Sequence, residues 1–229
     1  MAVEKHINFF ELQKAAEKPG CPLCRIIGDR AEMYIDNLLF EHVSDVPFRR
    51  LHRAAGGFCS FHSRNLVSFR DGLAVAILSK DLLLDRISSF ETKKPLSPRN
   101  RCPICIEQDR IEEEYLGFLA NSHGDTGEVK ELRKIFTASD GLCAPHYSNL
   151  LFNNKKKSSR GETIQKRGKI RVIPKWLMEF HESRFKDLLS RISNFIELSA
   201  YGRQEEFAAL TEKDQLVWKE AAAALRGDI

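Results

Sequence analysis

The chain has 229 residues, of which 42% are hydrophobic and 30% charged, and its formal net charge is +4 at pH 7. These values are typical of a globular protein and do not limit the size of its core. The longest apolar run, residues 73–78, is far shorter than the ~20 residues that span a bilayer, and no secretion signal is recognisable. We therefore expect a cytoplasmic protein without a membrane partner.

Two sequence motifs occur twice, in the same order. "CPLC" at 21–24 precedes "GFCSFH" at 57–62, and "CPIC" at 102–105 precedes "GLCAPH" at 141–146. Aligning Cys21 with Cys102 also places Tyr34 on Tyr115, so the pattern extends into the intervening segments. We interpret it as the duplication of one supersecondary unit.

The segments between the motifs have helical periodicity. Ile27, Ala31, Tyr34 and Leu38 recur at steps of three and four residues, which place one apolar stripe on a helix. The proline that follows the first cysteine of each CPxC occupies a position that the first turn of a helix tolerates. Each CPxC is therefore predicted to open a helix, and the cysteine and histidine of each CxxH to share a helix face. The predicted fold is all-α, with each metal site between two helix starts.

The six cysteines and two histidines of these motifs supply the ligands of two Cys3His sites. In a protein without a secretion signal, CxxC pairs are more typical of metal binding than of structural disulfides. Three thiolates and one imidazole complete a tetrahedral structural zinc site. We expect pairing within each copy, because a swapped arrangement closes longer loops. The predicted ligand sets are Cys21, Cys24, Cys59, His62 and Cys102, Cys105, Cys143, His146.

Two alternatives stay open for these residues. Cysteine and histidine also bind iron–sulfur clusters, which would indicate an electron carrier or a redox sensor. The residues can also form two reduced CxxC pairs without any metal. A thioredoxin-like redox motif would need a βαβ setting, which the sequence does not indicate.

The remaining segments define the predicted organisation. Residues 71–90 are apolar almost all round and predict a central buried helix that joins the two halves. Residues 91–101 contain two prolines and many charges and predict a linker. The domains are then a first metal-binding repeat, 1–95, and a second, 96–229, which includes a basic loop at 155–175 and C-terminal helices. One of these helices is expected over about 174–201, and another is expected to stop at Gly227.

The residues quoted above carry a resemblance to a known family. "GCPLCRIIGDRAEMYIDNLLFEHVSD", "GFCSFH", "GLAVAILSKDLL" and "CPIC", in this order, resemble a prokaryotic family of unknown function. The resemblance covers most of the chain, from about Phe9 to Leu225. It implies a cytosolic, helical, cysteine-rich protein and names no reaction.

All of the net positive charge lies in residues 155–175, which contain nine lysines and arginines and one acid, Glu162. A solvated loop on an acidic surface is the simplest interpretation of this stretch. It is also a candidate contact for RNA or DNA phosphates, although aromatic side chains for base stacking are absent before Trp176. The candidate nucleic-acid-binding residues are Lys155, Lys156, Lys157, Arg160, Lys166, Arg167, Lys169 and Arg171.

Catalytic signatures are missing from the sequence. It contains no GxxxxGK[ST], GxSxG or HExxH motif. Four protein ligands also leave no open coordination position of the kind that catalytic zinc keeps. We therefore favour a non-enzymatic two-zinc protein that acts as a binding module or adaptor for an unknown protein or nucleic acid. The alternatives are a redox protein with iron–sulfur clusters and, less favoured, an enzyme with a pocket between the repeats.

Overall fold

The structure, a computed structural model, describes residues 6–96, 98, 100–152 and 170–227. All regular structure within these ranges is helical, so the predicted all-α class is confirmed. Extended pairing there is limited to one isolated bridge between Phe152 and Ile170. Among the same residues, each helix is too short or too polar to cross a bilayer.

The described residues form twelve α-helices and one π-helical turn, Leu38–His42. The helices are α1 Ile7–Ala16, α2 Pro22–Asn37, α3 Val46–Ala54, α4 Ser60–Ser68, α5 Gly72–Thr92, α6 Pro103–Ala120, α7 Gly127–Thr137, α8 Ala144–Leu151, α9 Lys175–Leu198, α10 Gln204–Ala208, α11 Glu212–Gln215 and α12 Val217–Arg226.

The helix boundaries follow the local chemistry of the sequence. Helices α2 and α6 begin at the prolines of the two CPxC motifs, as predicted. Helix α12 ends at Gly227, which has the positive φ that favours glycine. Before it, Thr211 caps α11 by accepting a hydrogen bond from the Asp214 backbone N–H, and its hydroxyl donates to the Asp214 carboxylate.

The described residues separate into two compact units along the chain. The first unit contains residues 6–26, 114–152 and 170–227, and the second unit contains residues 27–113. The boundaries lie inside α2 and α6, so they differ from the predicted boundary between repeats at residues 95 and 96.

The first unit packs helices from both ends of the chain around an aromatic core. Tyr115 of α6 is fully buried, and its hydroxyl donates a hydrogen bond to Glu11 of α1. Phe136 of α7 meets Trp176 and Phe180 of α9 edge to face. These contacts fix α1, α6, α7 and α9 around one apolar centre.

The second unit buries the apolar stripe that the sequence predicts on α2. Ala31 and Ile35 pack with Leu66 of α4 and with Ala74 and Leu78 of α5. Two ion pairs join α3 to α5: Arg49 donates two hydrogen bonds to Asp81, and Arg53 contacts Asp85 in the same way. Helix α5 therefore has one face fixed against the rest of its unit.

The prediction for residues 71–90 is correct for the helix and wrong for its burial. Helix α5 buries Ala74, Leu78 and Asp81, but five of its large apolar side chains are between 52% and 74% exposed. A unit of fewer than 100 residues has too little interior to cover every face of a 21-residue helix. The uncovered residues are Leu73, Leu83, Leu84, Ile87 and Phe90.

Candidate metal centres

The eight predicted ligand residues come together as two groups of four. The first cluster contains Cys21, Cys24, Cys143 and His146, and the second cluster contains Cys59, His62, Cys102 and Cys105. Within each cluster all four ligand atoms lie within 4.8 Å of one another. All six cysteines are free thiols.

The predicted pairing within each copy is wrong. The first CPxC meets the second CxxH, and the second CPxC meets the first CxxH, so the two clusters are nested along the chain. Cys24 and Cys143 are 119 residues apart. Closing a loop of that length instead of one of about forty residues costs only about 1 kcal/mol more. A difference of this size is easily outweighed by packing, so loop length was a weak guide to the pairing.

Each cluster lies where two helices begin. Cys21 directly precedes α2 and Cys102 directly precedes α6. Cys143 and Cys59 are the N-cap residues of α8 and α4, with nearly identical backbone angles. The free N–H groups and the dipole of a helix start favour negative charge, so these positions stabilise thiolates.

The glycine two residues before each N-cap cysteine is required by conformation and by space. Gly141 has a φ of +66°, and a Cβ there would lie 2.7 Å from the Phe180 ring. Gly57 has a φ of +99°, and a Cβ there would lie 2.8 Å from Leu82. A larger residue at either position would be strained by the positive φ and would have to displace the neighbouring side chain or the loop that carries the ligand.

The distances within both clusters match a tetrahedron around one small ion. The sulfur atoms of Cys24 and Cys143 are 3.7 Å apart, and those of Cys59 and Cys105 are 3.8 Å apart. The Nδ1 atom of His146 lies 3.2–3.5 Å from the three sulfurs of its cluster, and that of His62 lies 3.3–3.5 Å from its three. Metal–sulfur bonds of about 2.3 Å and metal–nitrogen bonds of about 2.0 Å give edges of about 3.8 and 3.5 Å. The donors therefore fit an ion of the size of zinc.

The thiols of the first cluster share protons unequally. Hydrogen bonding among the thiols, chiefly with Cys143, lowers the pKa of Cys21 and raises that of Cys24. Burial opposes protonation of His146, but hydrogen bonds to Cys143 and Cys21 outweigh it and raise the pKa of His146 to about 10. A metal ion must displace these protons, so its affinity is expected to rise with pH.

The second cluster shows the same division between its thiols. Burial raises the pKa of Cys59, but the backbone N–H groups at the start of α4 and the neighbouring thiols outweigh it, so the net pKa is lowered. Burial and the charges of Cys102 and Cys59 raise the pKa of Cys105 to about 12. Burial also lowers the pKa of His62, which favours the neutral imidazole that binds metal.

Two further residues fix the ligand loops of the first cluster. Asp140 accepts a hydrogen bond from the Gly20 backbone N–H at 2.8 Å and another from Arg184 at 2.9 Å. Because Gly20 precedes Cys21 and Asp140 lies three residues before Cys143, one carboxylate links both loops. Arg184 also bonds to Glu220 of α12, so the link continues into the C-terminal helices.

His181 of α9 provides the second support. It is buried, its Nε2 accepts a hydrogen bond from the Leu142 N–H at 2.9 Å, and its Nδ1 lies 2.8 Å from the Leu177 carbonyl oxygen. Nδ1 must therefore carry the proton, and burial lowers the pKa of His181, which keeps it neutral. Its ring stacks on Tyr147, next to His146. This histidine orients the residue directly before Cys143.

A cavity of about 700 Å³ opens beside the first cluster. Its walls are the two ligand loops, 16–21 and 138–143, and residues of α9, α11 and α12. The end of α12 also approaches the cluster, since a Cβ at Gly227 would lie 3.1 Å from the Cys24 sulfur and 3.4 Å from the Cys143 sulfur. Glycine at this position therefore allows the chain to pass closely over the thiols.

The groups around the second cluster differ from those around the first. His52 is buried near Gly57 and packs against Phe58, but its Nδ1 has no hydrogen-bond partner. Arg101, beside Cys102, forms an ion pair with Asp109, and the side chains of both are about one quarter exposed. At Nδ1, His52 therefore lacks the hydrogen bond that the corresponding nitrogen of His181 forms with a backbone carbonyl.

The candidate nucleic-acid-binding residues fall almost entirely outside the described part of the chain. Lys155, Lys156, Lys157, Arg160, Lys166, Arg167 and Lys169 lie in the undescribed range 153–169. Arg171 is described, and its backbone N–H donates to the Leu151 carbonyl oxygen at 2.8 Å. This bond fixes where the chain enters α9 from the basic stretch.

Sequence reasoning did not identify Asp140 or His181. His181 lies 39 residues along the chain from its partner Leu142. Asp140 stands next to a GLC motif, but its partner Gly20 is 120 residues away. These partners depend on the tertiary fold, which brings residues far apart in the sequence together.

Comparisons with known proteins leave the function open. No family model and no solved structure matches the chain. It is similar to a protein described as "Uncharacterized 23.9 kDa protein in xynA 3'region" from Caldicellulosiruptor sp. (strain Rt8B.4). The two are 27% identical over 149 residues, which are 63% of this chain and 71% of the relative. This relative is consistent with a family of unknown function and assigns no activity.

Proposed function

We propose that each cluster holds one zinc ion with a structural role and that the protein is a non-enzymatic binding module. The observation that carries this proposal is the completeness of each donor set, three thiols and one imidazole at tetrahedral spacing. A structural zinc site is closed in this way, whereas a catalytic one keeps a position for water or substrate. Binding the ion would contribute directly to the folding of each unit.

The distances favour a single ion over an iron–sulfur cluster. Four protein ligands of such a cluster are distributed over two or more irons, which separates some of them widely. Here each imidazole nitrogen lies within 3.5 Å of all three thiols of its group. A single iron ion would fit these distances as well as zinc does. The form of the redox alternative that the distances support is therefore a centre with one iron ion in each cluster.

Metal content decides between these two forms. We expect protein purified without oxygen and without added metal to contain two zinc ions per chain and to have no visible absorption band. Iron without acid-labile sulfide would contradict zinc and support a mononuclear redox centre. Iron with sulfide, and a broad band that bleaches on reduction, would support the iron–sulfur alternative.

We further infer a cytosolic location and a partner that recognises the surface of the protein. Six free thiols are stable in a reducing compartment, where disulfides are rare. The charge of residues 155–175 supports nucleic acid as one candidate partner, because nine cations can neutralise several phosphates. Such binding would weaken steeply with salt.

Charge reversal tests the nucleic-acid candidate. Replacing Lys155, Lys156, Lys157, Lys166 and Arg167 with glutamate should abolish salt-dependent retention on single- and double-stranded RNA and DNA. A control variant reverses five exposed lysines of the described surface, Lys14, Lys94, Lys130, Lys134 and Lys219. Equal losses in both variants would indicate a response to net charge alone, and unchanged binding in the first would remove this candidate.

A further inference from the structure

Helix α5 presents a long apolar stripe to solvent. Leu73 is 74% exposed, Leu83 62% and Phe90 72%, and Leu84 and Ile87 are each more than half exposed. Contiguous apolar patches larger than a few hundred Å² are rare on monomers, and the largest patch on a monomer is often a site of interaction. The opposite face of α5 is held by buried Leu78 and by the ion pairs of Asp81 and Asp85, so the stripe is fixed outward.

The stripe has the spacing of a coiled-coil seam. When the exposed residues Ala76 and Lys80 are included, exposed positions on this face recur at alternating steps of three and four residues, which is the a and d pattern of a heptad repeat. With Leu73 assigned to position a, the residues of the seam are Leu73, Ala76, Lys80, Leu83, Ile87 and Phe90. A helix that packs only against the core of its own unit is expected to have polar residues on its outer face. The pattern therefore indicates another helix as the occupant.

We propose that α5 forms a homodimer with α5 of a second copy of this chain, with the two helices antiparallel. In antiparallel coiled coils, a residues pack against d residues of the other helix. This register places Leu73 against Phe90, Ala76 against Ile87 and Lys80 against Leu83. Each of these pairs forms one layer of the seam and combines a smaller or thinner side chain with a larger one. The two-fold axis of the dimer repeats the same layers in reverse order.

Lys80 determines the antiparallel direction. In a parallel pair the two Lys80 side chains would face each other in one layer, where like charges repel. In the antiparallel pair each lysine packs its aliphatic chain on Leu83 and extends its ammonium group to solvent. The flanks agree with this arrangement, because Ile77 and Leu84 extend the apolar surface on one side and Ser79 and Arg86 are polar on the other.

The available area suits a weak or moderate dimer. The five exposed side chains offer on the order of 100 Å² each, so two copies would bury on the order of 1,000 Å², close to the lower limit for specific interfaces. A self-complementary stripe of this size is sufficient for an isologous pair without a further partner. We therefore expect dissociation in the micromolar range.

Leu83→Lys tests the interface. In analytical ultracentrifugation the wild-type chain, with its metal, should show a concentration-dependent monomer–dimer equilibrium. Leu83→Lys should weaken the dimer about tenfold or more, because each introduced ammonium group would face Lys80 of the other copy in the same layer. The matched control is Met33→Lys on α2, since Met33 is also 62% exposed but lies outside the seam. Circular dichroism and metal content show that both variants remain folded.

The direction of pairing is tested by mixing two variants. Leu73→Glu and Phe90→Lys should each weaken self-association, and an equimolar mixture should restore it, because the introduced carboxylate then faces the introduced ammonium group. A wild-type chain that stays monomeric at high concentration would overturn the proposal, as would a dimer that Leu83→Lys leaves intact. Weakening by both single variants without restoration in the mixture would overturn the antiparallel direction.

Discussion

In the first cluster, the loop before Cys143 is held by His181 and Asp140, whereas the buried His52 near the second cluster leaves its Nδ1 without a partner. The donors and distances of the two clusters are nevertheless almost the same. The comparison separates two properties of a metal site. The ligand motif sets the tetrahedron, while the hydrogen bonds around the ligands set how firmly it is held.

The largest expected effect comes from cysteine substitutions that test which motifs share a cluster. Cys21→Ser combined with Cys143→Ser should reduce the metal content from two ions per chain to one, because both residues belong to the first cluster. Cys21→Ser combined with Cys59→Ser should reduce it to none, because each cluster then loses a ligand. Structural zinc binding is worth about 10 kcal/mol or more, so the affected unit should also unfold. Native mass spectrometry distinguishes the two results, and pairing within each copy would give them in reverse.

The second prediction compares Asp140, which supports the first cluster, with Asp109, which lies near the second. Asp140→Ala removes the link between the two ligand loops and should lower the metal affinity of the first cluster by about 10- to 100-fold, without changing the second. Asp109→Ala is the counterpart in the second unit and should have a smaller effect, because its partner Arg101 is adjacent to Cys102 alone, whereas Asp140 hydrogen-bonds one ligand loop from the other. Competition with a chromogenic chelator measures both affinities. Equal effects would show that the two clusters are supported alike.

The third prediction compares the two buried histidines. His181→Phe leaves the Leu142 N–H without an acceptor and should reduce the free energy of unfolding by about 1–3 kcal/mol. His52→Phe should cost less, because one of the two ring nitrogens that it removes, Nδ1, has no hydrogen-bond partner. Urea denaturation of the metal-loaded proteins provides the measurement. A larger loss for His52→Phe would contradict the difference in support.

The smallest expected effect is the pH dependence of the ion pair in the second unit. Hydrogen bonds from Arg49 hold the pKa of Asp81 below its ordinary value. The stability that this carboxylate contributes is therefore complete above the unfolded pKa of about 3.9 and is lost as the pH falls through the lower folded pKa. The wild type should be more stable than Asp81→Asn near neutral pH, and the difference should vanish in acid. Metal release at low pH affects both proteins and cancels in the comparison.

The sequence predicted the parts of this fold that depend on neighbouring residues. Helix starts at Pro22 and Pro103 follow from the conformation of proline, and the conjunction of Cys59 with His62 follows from one helical turn. The sequence did not predict which CxxH each CPxC would meet, because the loop-closure free energies of the two pairings differ by only about 1 kcal/mol. Burial of α5 was overestimated because composition shows that a helix is apolar but not which faces its neighbours cover.

The nested order of the clusters also determines the order in which their ligands become available during synthesis of the chain. The second cluster has all of its ligands once Cys105 has left the ribosome, while Cys21 and Cys24 wait for Cys143 and His146. At about 5–20 residues per second, the 119 residues from Cys24 to Cys143 take on the order of ten seconds. During that interval the first two thiols have no native partners, so the first cluster can form only after all ligands of the second are present in the nascent chain.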